Sequence, residues 1–301
     1  MKILVTGSDG FVGKYLMELL KRSKQDQVFG LDRTQADITN YQSVKKYLEK
    51  IKPDQVYHLA GFASGAGKDK ELIFKVNVNG SINILKALHE IGKPVKILLA
   101  STAYVYGNTP KCASENSKVD AKSYYDQSKL KMEKEALRLC SGQAGSNNIE
   151  IVITRASNHT GPGQKLGFFV PDFCSQIAKA KSDAFRHAII EVGNLDVERD
   201  LFDVRDVIRA YKIVMDKGKA GKIYNIGTGE TVSVKDILNK LIKISGKDIS
   251  YKIDKTKMRK SDILKNCVNP SKIKKLGFEP KISLEKTLQD TYRYYLILGK
   301  M

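Results

Sequence analysis

Tyr125 and Lys129 stand four positions apart in the segment 118–140, whose second half has the pattern of a helix. Residues at this spacing share one helix face, so the phenol and the ammonium group are expected to meet. A neighbouring ammonium stabilises a phenolate and lowers the tyrosine pKa from about 10 toward neutral pH. Such a pair can exchange a proton with a carbonyl oxygen. The alternative is an exposed helical pair, because Tyr and Lys at this spacing are common in a Lys-rich chain.

Hydroxyl groups follow the apolar run Val95–Ala100, which predicts a β-strand. Ser101 and Thr102 would then lie at the carboxyl end of that strand, where doubly wound sheets bind their ligands. A hydroxyl there can donate a hydrogen bond to a substrate carbonyl and polarise it. The alternative is a turn or helix-cap serine.

Gly7, Gly10 and Gly13 form a Gly-x-x-Gly-x-x-Gly motif between a predicted strand and a predicted helix. Glycines in this context allow a tight turn, a close backbone approach to a pyrophosphate and close helix–strand packing. The helix N-terminus then faces the anion. The motif therefore predicts a dinucleotide-binding site.

Asp32 lies nineteen residues after Gly13, at the end of the second apolar run. A carboxylate at this place suits the ribose hydroxyls of a dinucleotide. The next residue, Arg33, either meets a 2′-phosphate or is a solvated surface arginine. The sequence thus leaves NAD and NADP open.

Short apolar runs and helical periods alternate through the first half of the chain. The predicted strands are Lys2–Thr6, Val28–Leu31, Gln55–Leu59, Val95–Ala100 and Glu150–Thr154. The predicted helices are Val12–Lys21, Ser43–Ile51, Phe74–Glu90 and the second half of 118–140. Strand–helix–strand order at this spacing predicts an α/β fold with a doubly wound, Rossmann-like parallel sheet.

The pattern changes after Arg155, where residues 157–164 are rich in Gly, Asn and His and predict a loop. The segments that follow predict helices at Val170–Lys181, Val204–Asp216 and Val234–Ile244, and strands at Ile189–Val192 and Lys222–Ile226. We therefore expect a dinucleotide-binding domain over residues 1–157, to which residues of about 190–228 return. Residues 158–301 would mainly form a smaller mixed α/β lobe for the substrate.

The chain of 301 residues has a formal net charge of +19. Residues 212–301 contain 21 basic and 9 acidic side chains, so they contribute +12 of that excess. This charge indicates either a nucleic-acid surface or a solvated, Lys-rich surface around a site for a small polyanion. Because Lys far outnumbers Arg there, the second interpretation is favoured, and no nucleic-acid partner is expected.

Four scattered cysteines, with no Cys-x-x-Cys and no histidine at ligand spacing, argue against a structural zinc site, and no metal is expected. We predict separate thiols in a reducing cytosol. The apolar start at residues 3–5 is too short for a signal sequence. No segment approaches the roughly 18 apolar residues of a membrane helix, so a cytoplasmic protein without a membrane partner is expected.

Taken together, these motifs resemble the extended short-chain dehydrogenase/reductase family over nearly the whole chain. The resemblance rests on the glycine motif, His58-Leu59-Ala60-Gly61, Asn77 in Asn-Val-Asn-Gly, Ser101-Thr102-Ala-Tyr-Val-Tyr-Gly, and Tyr125 with Lys129. It implies NADPH or NADH as cofactor and a catalytic triad of Thr102, Tyr125 and Lys129. The cofactor contacts that it implies are Gly7, Gly10, Phe11, Val12, Asp32, Arg33, Asp37, Ile38, Leu59, Ala60, Gly61, Ala63, Asn77, Tyr125 and Lys129.

Five further stretches resemble the branch of this family that acts on GDP-mannose derivatives: 155–164, 167–173, 192–200, 203–206 and 258–262. The resemblance places Asn158, Arg199 and Arg259 on the diphosphate and ribose, where planar guanidinium groups match phosphate oxygens. The substrate contacts that it implies are Thr102, Ala103, Asn158, Val170, Asn194, Arg199, Arg259 and Asp262. It also implies a homodimer through the helices of 74–90 and 125–140.

Tyr104 stands two positions after the triad threonine, where dehydratases of the branch have Glu and epimerase/reductase relatives have Cys. Without a carboxylate or thiol there, elimination and epimerisation lack their obvious proton carrier. The resemblance thus implies NAD(P)H-dependent reduction of the C4 ketone of GDP-4-keto-6-deoxy-D-mannose to a GDP-6-deoxyhexose, of the GDP-rhamnose type or its C4 epimer. The alternatives are a GDP-mannose 4,6-dehydratase and a non-catalytic nucleotide-sugar- or nucleic-acid-binding protein on the same fold.

Overall fold

The computed structural model describes residues 1–63, 69–140, 148–181, 187–258 and 263–299. Its centre is a parallel sheet of six strands in the order β10-β5-β4-β3-β1-β2. These strands are β1 (Lys2–Thr6), β2 (Gln27–Leu31), β3 (Gln55–His58), β4 (Val95–Thr102), β5 (Ile149–Ala156) and β10 (Lys222–Ile226). The predicted doubly wound α/β fold is confirmed.

Helices cover both faces of this sheet because successive strand residues point to opposite sides. Leu4 and Ile97 pack on one side with α2 (Tyr41–Ile51), α4 (Gly80–Ile91) and α5 (Tyr124–Cys140). Val5 and Leu98 pack on the other side with α1 (Phe11–Leu20) and α7 (Val204–Lys217). The carboxyl ends of the strands consequently meet at one edge between two helical layers.

The helix predicted from Phe74 begins earlier than expected. It starts at α3 (Lys70–Phe74) and passes through a π-helical turn (Lys75–Asn79) into α4. Asp69 caps its N-terminus by accepting a hydrogen bond of 2.7 Å from the backbone N–H of Leu72. The expected start at Phe74 is wrong, because the pattern of apolar residues indicates neither this cap nor the π-helical turn.

In its described residues, the second lobe has three small sheets and the helices α6 (Phe169–Lys179), α8 (Val234–Ser245) and α10 (Leu284–Leu298). Its strands are β6 (Asn158–Thr160), β7 (Ala188–Val192), β8 (Glu198–Arg199), β9 (Leu201–Asp203), β11 (Val232–Ser233), β12 (Ile249–Ile253) and β13 (Lys265–Asn266). β7 pairs with β12. By contrast, α7 packs on one face of the central sheet, and β10 is one of the strands of that sheet. A short helix, α9 (Ser271–Lys274), follows β13.

The predicted loop 157–164 is wrong in its first half. Residues 158–160 form β6, which pairs in parallel with β9. The strand exists because its partner lies some forty positions later in the chain, a contact that local composition does not reveal.

Cys112 and Cys267 form a disulfide across 155 residues, so the expectation of four separate thiols is wrong. An isolated parallel bridge between Ala113 and Val268 lies beside it. The spacing of cysteines in a sequence does not indicate which of them meet in space. The bond ties the loop before α5 to the segment that follows β13.

None of the described helices is long and apolar enough to cross a membrane. Within the described ranges, no group of three His, Cys, Asp or Glu side chains is placed to hold a metal ion.

Candidate active site

The glycine motif forms a cradle between β1 and α1. Gly7 has a φ of 69°, which favours glycine, and its backbone lies against the turn after β3. A Cβ on Gly13 would lie 2.1 Å from the carbonyl oxygen of Gly7, so no side chain fits there. The amides at the start of α1 are thereby left open to an anion.

A cavity of about 380 Å³ opens over this cradle. Nine of the predicted cofactor residues line it: Gly7, Gly10, Asp32, Arg33, Asp37, Ile38, Leu59, Ala60 and Gly61. The sequence did not predict the further lining residues Asp9, Leu31, Ala36, Thr39, Leu72, Lys75 and Val76. Lys75 and Val76 belong to the π-helical turn, which leaves no signal in the sequence pattern.

Asp32 is held in place by the loop that follows β2. Its Oδ1 accepts hydrogen bonds from the backbone N–H and the hydroxyl of Thr34, at 2.8 and 2.7 Å. These bonds hold the pKa of the carboxyl below its usual value, so it stays ionised. An ionised carboxylate on the cavity wall can accept hydrogen bonds from ribose hydroxyls, and the cradle suits the adjoining pyrophosphate. The site therefore fits an adenine dinucleotide.

Other predicted cofactor residues lie outside this cavity. Phe11 stacks on His159 with ring centres 6.4 Å apart, and Val12 packs on the core around α1. Asn77 is buried; its Oδ1 accepts from the backbone N–H of Phe62 at 2.8 Å and its amide donates to Ser128 at 2.9 Å.

Asn77 therefore joins the turn after β3 to helix α5. Ala63 is exposed at the end of that turn, next to residues that the structure does not describe. Neither position shows a contact that would distinguish a cofactor residue from a scaffold residue.

Thr102 and Tyr125 meet at the carboxyl end of β4, and Lys129 lies one helical turn after Tyr125. Thr102 ends β4 and shares a hydrogen bond with Tyr125, at the start of α5. Lys129 is buried, and its Nζ donates to the carbonyl oxygen of Ala100 at 2.8 Å. A Cβ on Gly61, which lines the dinucleotide cavity, would lie 3.5 Å from this Nζ, so the ammonium group lies behind that part of the cavity wall. The helical pair of Tyr and Lys is thus not an exposed surface pair.

The expected pKa of Tyr125 is wrong in direction. Burial raises the pKa of this phenol above its usual value, and the hydrogen bond to Thr102 only partly opposes the rise. Lys129 is not among the causes of the shift; its ammonium is directed at Ala100. Burial also lowers the pKa of Lys129 to about 8, against the attraction of Glu133. Tyr125 is therefore neutral at neutral pH, which is the form that donates a proton.

A buried polar network lies next to the catalytic groups, between β4, β5 and α5. The hydroxyl of Ser101 donates to Glu133 at 2.5 Å, so it points away from the site in which Thr102 lies. Glu133 also forms a bidentate ion pair with Arg155, whose Nη2 lies 2.6 Å from Oε2. The guanidinium stacks on the ring of Tyr106 at 4.8 Å. Glu133 lies one helical turn after Lys129, but the sequence pattern alone did not predict its role.

Residues predicted to bind substrate gather around Tyr104. Its hydroxyl accepts a hydrogen bond of 3.2 Å from the side-chain amide of Asn158. The guanidinium of Arg199 lies over its ring, 6.0 Å from the centre, and donates to the carbonyl oxygen of Ile263 at 2.6 Å. Asn158 and Arg199 therefore meet at the side chain of Tyr104, two positions after Thr102.

The remaining predicted substrate residues are more scattered. Ala103 and Val170 are buried, the latter in the core of the second lobe. The side chain of Asn194 accepts from the backbone N–H of Asp196 in a local turn. Arg259 and Asp262 lie outside the described residues.

Two histidines near the strand ends have structural contacts. His58 bonds through its two ring nitrogens to Thr6 at 2.7 Å and Ser81 at 2.8 Å, and burial lowers its pKa to about 3. Burial also lowers the pKa of His159, whose Nδ1 lies 3.0 Å from the carbonyl oxygen of Ser157. Both rings are neutral at neutral pH.

This chain matches a known family model and several known proteins. The model of the NAD dependent epimerase/dehydratase family matches residues 3–227. The chain is 28% identical over 294 residues to a GDP-6-deoxy-D-mannose reductase of Pseudomonas aeruginosa, covering 96% of this chain and 95% of that one. It is 32% identical over 304 residues to a GDP-6-deoxy-D-talose 4-dehydrogenase of Aggregatibacter actinomycetemcomitans, covering 99% of both.

Solved structures agree with this placement. The structure of RMD from Pseudomonas aeruginosa with NADPH superposes with a TM-score of 0.87 at 26% identity, covering 99% of this chain and 98% of that one. A UDP-glucose 4-epimerase of Thermotoga maritima with UDP-glucose gives a TM-score of 0.87 at 27% identity, covering 99% of both chains.

Proposed function

Since the chain belongs to the NAD dependent epimerase/dehydratase family, we propose that it reduces the C4 ketone of GDP-4-keto-6-deoxy-D-mannose with NADPH or NADH. The observation that supports this most strongly is the hydrogen bond between Tyr125 and Thr102, which ends β4 at the same edge of the parallel sheet as the glycine cradle after β1. The two GDP-6-deoxyhexose relatives, matched over nearly their whole length, support the substrate class.

The chain's own residues account for binding and protonation. When bound, the reduced nicotinamide supplies a hydride to the ketone carbon. The hydroxyl of Thr102 orients the carbonyl, and the phenol of Tyr125 donates its proton to the carbonyl oxygen. The ammonium group of Lys129, held by the carbonyl oxygen of Ala100 and next to Gly61 of the cavity wall, would provide positive charge near the cofactor. Asp32 would bind the adenosine ribose, and the cradle of Gly7 and Gly13 would bind the pyrophosphate.

Reduction is favoured over dehydration by the residue at position 104. Elimination of water needs an acid or base beside the sugar in addition to Tyr125. Tyr104 occupies that place, and its hydroxyl accepts a hydrogen bond from Asn158. A phenol in this contact is a hydrogen-bonding group for a hydroxyl rather than a carboxylate that removes a proton.

We further propose that the product is of the GDP-rhamnose type. We also propose that the protein is a cytoplasmic homodimer without nucleic-acid or membrane partners. The dimer would form through α4 and α5, as the family resemblance implies. We assign residues 1–157, together with α7 and β10, to cofactor binding and most of residues 158–301 to the nucleotide sugar. The pairing of β10 with β5 supports that division.

The test is NADPH or NADH oxidation by the purified protein with GDP-4-keto-6-deoxy-D-mannose. Replacing Tyr125→Phe removes the proton donor, and kcat is expected to fall by about 10²- to 10⁴-fold. Tyr124→Phe is the matched control, because Tyr124 is 51% exposed at the neighbouring position. Cofactor binding, followed by nucleotide fluorescence, should persist in both variants. Equal activity of the two variants would refute the role of Tyr125.

A further inference from the structure

Tyr104 and Asn158 present an unused donor and an unused acceptor at the same place. The oxygen of Tyr104 accepts from the amide of Asn158, so its own proton remains for another partner. No contact in the described part of the chain receives that proton. The Oδ1 of Asn158 is buried and also has no hydrogen-bond partner among the described residues.

Buried polar atoms in folded proteins are nearly always hydrogen-bonded, so the Oδ1 of Asn158 calls for a hydrogen-bond donor beside Tyr104. One hydroxyl satisfies both atoms, because it can accept from Tyr104 and donate to Asn158. A sugar ring has such hydroxyls next to its ketone. The pair therefore matches a ring hydroxyl of the proposed substrate.

The position of this pair connects two other contacts. Thr102 Oγ1 accepts from the backbone N–H of Tyr104 at 3.2 Å and is also hydrogen-bonded to Tyr125. The guanidinium of Arg199 lies over the ring of Tyr104. Tyr104 therefore contacts Thr102 through its backbone and an arginine that the family resemblance assigns to the diphosphate through its ring.

Two contacts alone leave the orientation of the sugar open. A ring held at its diphosphate end and at its carbonyl oxygen can still turn about the line between those points. Turning exposes one face or the other of the ketone to the hydride. A third contact away from that line fixes the face.

We propose that Tyr104 and Asn158 hold one ring hydroxyl beside the ketone, and that Tyr104 thereby determines the configuration at C4 of the product. This rests on the reductase function proposed above. The reaction has the same stoichiometry on either face of the ketone. The hydride adds to C4, Tyr125 gives a proton to the carbonyl oxygen, and NAD(P)H becomes NAD(P)⁺. Only the product epimer differs.

The experiment compares wild type, Tyr104→Phe, Asn158→Leu and the control Tyr124→Phe with the 4-keto sugar and NADPH. The C4 configuration of the product is read by proton NMR, and NADPH binding is measured to verify the folded cofactor site. Wild type and Tyr124→Phe should give one epimer. Tyr104→Phe should lose about 3- to 10-fold in kcat/KM and release the second epimer as at least about a tenth of the product, with Asn158→Leu showing the same mixture.

The outcomes separate the two proposals. A single epimer from Tyr104→Phe, whether at full or reduced rate, overturns the role in stereochemistry while leaving the reductase intact. A wild-type protein that binds NADPH but does not oxidise it with the 4-keto sugar overturns the reductase proposal, and this inference with it. A second epimer from both site variants and not from Tyr124→Phe establishes the role.

Discussion

The cofactor side and the substrate side of this site are assembled in different ways. Gly7, Gly10 and Gly13 form their cradle within one strand–helix turn, and the carboxylate of Asp32 is fixed by Thr34, two residues away. By contrast, the hydrogen bond between Tyr104 and Asn158 joins residues 54 positions apart, and Arg199 bonds to Ile263 across 64 positions. Nearby residues define the glycine turn and the position of Asp32, whereas the contacts of Tyr104 and Arg199 depend on long-range packing.

The difference should be visible in stability as well as in binding. If the sheet provides the rigid frame for both sides, then damage to its buried polar network should affect the whole fold. Damage to the connection between lobes should affect the substrate side more than the cofactor side.

The largest effect is expected for Glu133→Gln, which breaks the buried ion pair with Arg155 beneath β4. Both side chains are almost fully buried, at 2% and 5% exposure. Removing one partner leaves a buried charge unpaired, so unfolding free energy should fall by about 3–5 kcal/mol. Urea denaturation followed by circular dichroism measures the loss.

The matched control is Glu135→Gln on the same helix, whose carboxylate pairs with Lys131 at 2.7 Å near the surface. An exposed pair of this kind contributes about 0–1 kcal/mol. Equal losses in the two variants would contradict the idea that the buried network supports the frame.

The contrast also explains how far the sequence could predict this protein. The fold, the glycine cradle and the place of Asp32 follow from glycine spacing and alternating patterns, which are local signals, whereas Asp37, Ile38 and residues 59–61 of the cavity lining were implied by the family resemblance. β6, the disulfide and the contact of Tyr104 with Asn158 depend on partners distant in the chain, and no local pattern reports them. The tyrosine pKa was wrong because the spacing of Tyr125 and Lys129 says nothing about burial or about the carbonyl that the lysine meets.

A smaller effect is expected from opening the disulfide between Cys112 and Cys267. Because it closes a loop across 155 residues, its loss should cost about 2–4 kcal/mol of unfolding free energy. We expect a reductant such as dithiothreitol to lower the melting temperature of the wild type and to weaken GDP-sugar binding more than NADPH binding.

Cys112→Ser is the control for this prediction, because the reductant should change nothing further in it. Calorimetric titration of both ligands, with and without reductant, gives the comparison. Equal weakening of cofactor and sugar binding would contradict the division into two regions.

The smallest expected effect is the dependence of kcat/KM for NADPH on pH, through the protonation of Lys129. The pKa of Lys129 is lowered to about 8, so its ammonium form is complete below that pH and is lost above it. We therefore expect kcat/KM for NADPH to fall by up to about tenfold per pH unit above pH 8, since positive charge at the cofactor disappears. The variant Lys131→Met, at an exposed position on the same helix, should keep the profile of the wild type. A rate that stays level to pH 10 would contradict this role.

The central claim is that this chain transfers a hydride from an external nicotinamide to C4 of the sugar. The direct measurement uses NADPH with deuterium at the transferable position of C4, together with GDP-4-keto-6-deoxy-D-mannose, and locates the label in the product by NMR. Our account predicts one deuterium on C4 of the sugar in wild type and none with Tyr125→Phe in the same time. An unlabelled product, or deuterium at C6, would contradict it.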